Sequence, residues 1–196
     1  MSVSLQKGQK VSLSKDNAGL SSILVGLGWD EAKKARGLFS FKPQPIDCDA
    51  SAILLRNGKL TGGTQDIVYF GNLRHSSGGV IHQGDNLTGA GAGDDEQIII
   101  NLQQVPEDVD KIVMVVNIYK AHERKQHFGM IQNAFIRLVD KATNNEMCRY
   151  NLTDDYSGQT ALIFGEVYRH NGEWKFSAIG QGTKDPGLAE LARRFA

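Results

Sequence analysis

The sequence predicts a mainly all-β protein: a single β-sandwich of two antiparallel-rich sheets with a short C-terminal helix. Three observations carry that expectation. Apolar stretches with a period of two recur along the chain, about ten to twelve of them, separated by Gly, Asn, Asp and Pro. Two Asn-Gly pairs, Asn57-Gly58 and Asn171-Gly172, follow such stretches, where the pair favours the type I′ turn of a hairpin. Helical periodicity is clear once, near the C-terminus. With no long linker or internal repeat, residues 1–196 read as one domain.

In order, Ser2 to Ser14 alternates Val3, Leu5, Val11 and Leu13 around Lys7-Gly8, giving one or two short strands at a sheet edge. Ser22 to Asp30 sets Ile23, Val25, Leu27 and Trp29 on one face and Leu24, Gly26, Gly28 and Asp30 on the other. Two glycines on one face invite close approach by another segment, and Asp30 leaves the strand on that side as a candidate ligand or turn former. Residues 31–46, with Lys33, Lys34, Arg36 and Lys42, read as a basic, Pro-containing connection. Asp47, Asp49, Ser51, Ile53 and Leu55 then share one face of a strand. Two carboxylates roughly 7 Å apart are thereby brought together, close enough to ligate one ion or neighbouring ions.

Asp66 to Phe70 and Gly79 to Gln83 read as short strands, with His82 a structural partner of a carboxylate, or else a metal ligand or base. Gln97 to Leu102 is a strand with its main face buried, and Lys111 to Lys120, apolar on both faces, a central strand. His122 to His127 is an exposed charged turn. Met130 to Asp140, Glu146 to Leu152, Ala161 to Arg169 and Trp174 to Ile179 complete the strands, the last two as a hairpin around Asn171-Gly172. Asp185-Pro186 starts a helix carrying Leu188, Leu191, Ala192 and Phe195.

Composition narrows the function. Lys plus Arg and Asp plus Glu both number 22, and no basic stripe interleaved with aromatics occurs, so direct nucleic-acid binding is not expected. The longest apolar runs, such as Ile112 to Val116, are far shorter than a membrane span, and the N-terminus lacks the apolar core of a secretory signal. A cytoplasmic protein is expected, with Cys48 and Cys148 as buried free thiols.

The neutral total hides an acidic pole. Between Arg74 and Lys111 there is no Lys or Arg, while Asp85, Asp94, Asp95, Glu96, Glu107, Asp108 and Asp110 all fall in that interval. Carboxylates crowded on the Gly-rich stretch 78–96 repel one another, and hard oxygen ligands without a Cys or His cluster suit Ca²⁺ or Mg²⁺. Calcium fits better, because Asn86, Thr88 and the Gly89, Gly91 and Gly93 carbonyls can fill an irregular oxygen shell. Leu87 and Ala90 stand where an EF-hand requires an oxygen ligand and a glycine, so the stretch is not one. An acidic hairpin loop without a metal is the alternative. No GxSxG, HExxH or GxxxxGKS motif accompanies the carboxylates, so enzymatic turnover is not expected.

With these motifs in view, the chain resembles the TerD family of tellurium-resistance and stress-response proteins. The resemblance rests on VSLSK at the start, GLGWD at 26–30, D-x-DAS from Asp47 to Ser51, GDNLTG-x-G-x-GDDE at 84–96, AFIRLVD at 134–140 and YRHNGEWKFSAIGQG at 168–182. It implies a β-sandwich binding two Ca²⁺ ions at one end, with Asp30, Asp47, Asp49, Asp85, Asn86, Asp94, Asp95 and Glu96 at the family's acidic positions. Gly89 and Gly91 would contribute backbone carbonyls, since relatives carry acids where this chain has Ala90 and Ala92. The implied role is a non-enzymatic, metal-ordered interaction module of a tellurite-resistance or general stress-response system. Its expected partners are other tellurium-resistance proteins, among them a membrane-embedded component at the inner face of the membrane. Metal-dependent binding of a cyclic nucleotide or other phosphate is the alternative.

Overall fold

Period-two alternation buries one face of a strand and needs a second layer to cover it, and two six-stranded sheets supply that cover. The computed structural model describes residues 2–15, 17, 19–31, 44–84 and 93–196. Among these, the first sheet runs β1 (Val3–Leu5), β10 (Asn145–Asn151), β9 (Ile131–Asp140), β3 (Ser22–Glu31), β7 (Glu96–Asn101), β6 (Val80–His82). The second runs β2 (Lys10–Ser12), β12 (Glu173–Thr183), β11 (Ala161–His170), β8 (Lys111–Ile118), β4 (Cys48–Leu55), β5 (Ile67–Val68).

The faces follow the alternation. Ile23, Val25, Leu27 and Trp29 of β3 and Ile98 and Ile100 of β7 pack inward against Ala50, Ala52 and Leu54 of β4 and Ile112, Met114 and Val116 of β8. The central strand β8 is apolar on both sides for a local reason. Its outer residues Val113 and Val115 join Ile53, Leu55 and Ile163 in a second core, closed by Leu191 and Ala192 of α2 (Leu188–Ala192). The face shared by Asp49 and Ser51 is therefore the outer face of the second sheet. Cys48 and Cys148 are buried free thiols.

Several expectations are refined. Lys7-Gly8 does not close a hairpin: β1 pairs in parallel with β10, whereas β2 pairs with β12, so this turn carries the chain from one sheet to the other. Asn171-Gly172 closes the β11–β12 hairpin with positive φ at both residues, but Asn57-Gly58 closes only the Arg56–Lys59 bridge. Residues 63–66 form a 3₁₀ turn, which shortens the predicted 66–70 strand to β5. The charged turn after β8 contains a one-turn helix, α1 (Ala121–Arg124), and buries Gln126. Asp185 does not cap α2, which begins after Gly187 without a side-chain cap; its carboxylate pairs with Arg194 instead. The basic residues of the 31–46 connection, Lys33 to Lys42, lie outside the described residues.

Candidate metal centre at the acidic end

Antiparallel pairing puts the end of β3 beside the start of β7, and the end of β8 beside the start of β4. Asp30, Asp47, Asp49, Asp94, Asp95 and Glu96 therefore come to the same end of the sandwich. Asp85, Asn86, Gly89 and Gly91, with Thr88, Ala90 and Ala92, lie outside the described residues; Gly84 and Gly93 flank them.

Three acids in a row have three different structural tasks. Asp94 lies over Gly26, where an added Cβ would sit 2.3 Å from its carboxylate. Arg137 of β9 grips it with two bonds of 2.6 and 2.9 Å, and the Gln97 amide donates a third of 3.0 Å. This bidentate fork is the strong form of a charge pair. The neighbouring Gly28 admits the Phe135 ring and the Gly93 carbonyl. The two glycines thus do what their shared face predicted.

Asp95 extends a ladder. Its N–H donates to the Leu27 carbonyl at 2.7 Å, and its carboxylate accepts from the Trp29 N–H at 2.7 Å, just beyond the last β3–β7 pair. Burial pushes this carboxyl's pKa up; the Trp29 N–H opposes the shift, and the charges of Asp30 and Asp94 add to it.

Glu96 points into the interlayer space and accepts from the Ala50 N–H of the opposite sheet at 2.6 Å. His82 completes the arrangement. Its Nδ1 accepts from the Gly84 N–H at 3.0 Å, which assigns the proton to Nε2, facing the Ala50 carbonyl at 3.2 Å and Glu96 at 3.5 Å. The cause is topological. β5 is two residues long and pairs with β4 only at Ala52 and Ile53, so both backbone groups of Ala50 face a missing strand, and Glu96 and His82 serve them. His82 is thus a structural partner of a carboxylate.

The remaining acids differ in exposure. Asp30 is exposed and accepts from the Asn133 amide at 2.8 Å. Asp47 lies 3.9 Å from Arg124, and the buried Asp49 lies 3.5 Å from the Asn117 amide. Cys48, between these two, points inward; burial and then the charges of Asp49, Glu96, Asp47 and Asp95 push its thiol well above the usual range. Its side chain belongs to the apolar core between the sheets, so the acids at this end present hard oxygen donors.

Among the described residues, no group of three or more His, Cys, Asp or Glu side chains is assembled for a metal ion. Asp30 and Asp95 fit a hard cation best, because both are oxygen donors and their charges oppose one another. Asp94 and Glu96 are engaged in holding the fold. Arg137, Asn133, Asn117 and the Ala50 N–H escaped sequence reasoning; only Arg137 left a trace, as a charge within the apolar run AFIRLVD.

The geometry accords with what the chain is similar to. The family model described as the TerD domain matches residues 1–195. Stress response protein SCP2 of Bacillus subtilis is 54% identical, with all of both chains covered. Tellurium resistance protein TerD of Serratia marcescens is 50% identical over all of this chain and 97% of its own length. Among solved structures, a homologue of telluride resistance protein (TerD) from Streptomyces coelicolor A3(2) shares the fold with a TM-score of 0.59 at 20% identity, over 85% of this chain and 92% of the other.

Proposed function

The chain belongs to the TerD family, and from that premise we propose that it is a non-enzymatic Ca²⁺-binding protein of a tellurite-resistance and stress-response system. The observation that carries this reading is the gathering of carboxylates from both sheets at the end where the chain enters and leaves residues 85–92. Asp30 and Asp95 bind through carboxylate oxygens, joined by Asp85, Asn86 and the Gly89 and Gly91 carbonyls. Asp47 and Asp49 supply charge and oxygens from the second sheet, where a second ion would sit. Asp94 and Glu96 hold the flank of the site, one through Arg137 and the other through Ala50. When bound, Ca²⁺ offsets the repulsion among these carboxylates.

The ordered end then serves as an interaction surface for other tellurium-resistance proteins, including a membrane-embedded component at the cytoplasmic face. No helix among the described residues is long and apolar enough to cross a membrane. A phosphate ligand would be repelled by the same acids unless the cation bridged it.

Calcium titration followed by thermal melting tests the reading. An ion held only by the folded state at about a hundred times its Kd adds roughly 2.7 kcal/mol, or about 5–10 °C for a domain of this size. Asp30→Asn and Asp95→Asn should each shrink that shift. Melting curves that coincide in millimolar Ca²⁺ and in EGTA would sink the proposal.

A further inference from the structure

Beside Asp30, β9 carries one residue more than β3. The register runs from Gly28 opposite Phe135 to Asp30 opposite Gln132, so Asn133 and Ala134 together face Trp29. A bulge of this kind re-aims a side chain that a regular strand would send elsewhere. Asn133 is the residue that turns. Its φ is +54°, and among the described residues it is the one non-glycine residue with positive φ inside a strand. The other asparagines with positive φ, Asn57, Asn144 and Asn171, lie in turns. Glycine would meet the backbone requirement at no steric cost; asparagine tolerates it and also brings an amide.

That amide is used on Asp30. Asn133 Nδ2 donates to Asp30 Oδ2 at 2.8 Å. An ionised carboxylate only accepts, so the amide nitrogen and not its oxygen must face it. Both residues are exposed, where a lost contact costs the fold little. The bond does something else: it fixes one carboxylate oxygen, and with it the rotamer of Asp30, while the other oxygen keeps its lone pairs for a cation. Across the same bulge the Trp29 N–H holds the Asp95 carboxylate at 2.7 Å. The charges of Asp30 and Asp95 oppose one another, yet each carboxylate is held by a donor, so an arriving cation orders fewer side chains.

We propose, on the calcium reading above, that Asn133 is a positioning residue of the cation site: its left-handed bulge aims the amide that presets Asp30, alongside Asp95, for Ca²⁺. The hydrogen-bonded partners of ligating carboxylates govern metal affinity in this way without touching the ion.

Calcium alone, titrated into the full chain by calorimetry, tests the proposal, with melting recorded separately in EGTA. Asn133→Gly keeps the positive φ and deletes the amide. Its Ca²⁺ affinity should fall about tenfold or more, while its melting temperature in EGTA stays within about 2 °C of the native value. Asn133→Ala also loses the backbone conformation and should lower both. In EGTA, the side-chain amide protons of Asn133 should shift in NMR spectra when Asp30 is replaced by Ala. An Asn133→Gly protein that binds Ca²⁺ as the native one does would overturn this proposal alone and leave the calcium reading standing. So would an EGTA melting temperature lowered as far as in Asn133→Ala, since the role would then be structural, or Asn133 amide protons unmoved in Asp30→Ala. A native protein that shows no Ca²⁺ binding would sink the calcium reading and this one with it.

Discussion

A methyl group is enough to test how the acidic end is built. Gly26 leaves room for the Asp94 carboxylate, and in Gly26→Ala the new Cβ would meet it at 2.3 Å, so Asp94 must move and the Arg137 fork must open. Overpacking of this kind costs about 1–3 kcal/mol, read as a lower urea midpoint. Because the damage passes through Asp94, adding Asp94→Ala to Gly26→Ala should cost much less than the sum of the single changes. Additive losses would show that Gly26 acts through the backbone instead. The need for small residues at 26 and 28 was legible, since the period of two put both on one face. That Asp94 would fill the space was not, because its partner Arg137 stands 43 residues away and local pattern carries no information about such a pair.

Among the elements, the C-terminal helix is one that cannot stand alone. Five residues are too few to hold a helix in water, so α2 depends on burying Leu191 and Ala192 against the second core and on its flanking ion pair. Burial alone would raise the Asp185 carboxyl, but the Arg194 guanidinium at 2.6 Å and the Thr183 hydroxyl outweigh it and hold the pKa below the usual value. A carboxyl with a lowered folded pKa stabilises fully above its unfolded pKa and loses that contribution as pH falls through the folded one. Protection of the Leu191 amide, bonded to the Gly187 carbonyl at 3.1 Å, should therefore drop as the pH goes below the ordinary aspartate range. Arg194→Ala should abolish that dependence at a cost of up to about 1 kcal/mol, given that Arg194 is half exposed. An unchanged exchange profile would remove the pair from the account. The helix itself was readable from the spacing of Leu188, Leu191 and Ala192. Its start was not, because Asp185-Pro186 carries the right residue types for a cap while the carboxylate is drawn to Arg194. The strands were mostly readable for the same reason as the helix: burial imposes a period. Which sheet receives β1 and which β2 was hidden, since both strands alternate alike and only the tertiary fold separates them.

At the scale of the whole molecule, a buried polar junction ties the two sheets at the acidic end: Glu96 of the first sheet accepts from the Ala50 N–H of the second, with His82 beside both. The resemblance places Glu96 among the family's acidic positions. Its burial at 2% exposure accords with the shortness of β5, which leaves the Ala50 backbone groups to side chains. Removing the carboxylate in Glu96→Ala would strand the Ala50 N–H in the interior while the His82 N–H keeps the Ala50 carbonyl, so a loss of about 1–3 kcal/mol is expected in urea. Glu96→Gln retains an acceptor oxygen and should lose about half as much or less. Trp29 at the acidic end and the half-buried Trp174 near the β11–β12 turn provide two local views of unfolding. If the junction couples the layers, the two fluorescence transitions coincide in the native sequence and separate in Glu96→Ala, with Trp29 exposed first. Equal losses for the two substitutions, or coincident transitions in both, would mean that the Glu96 junction does not couple the two sheets.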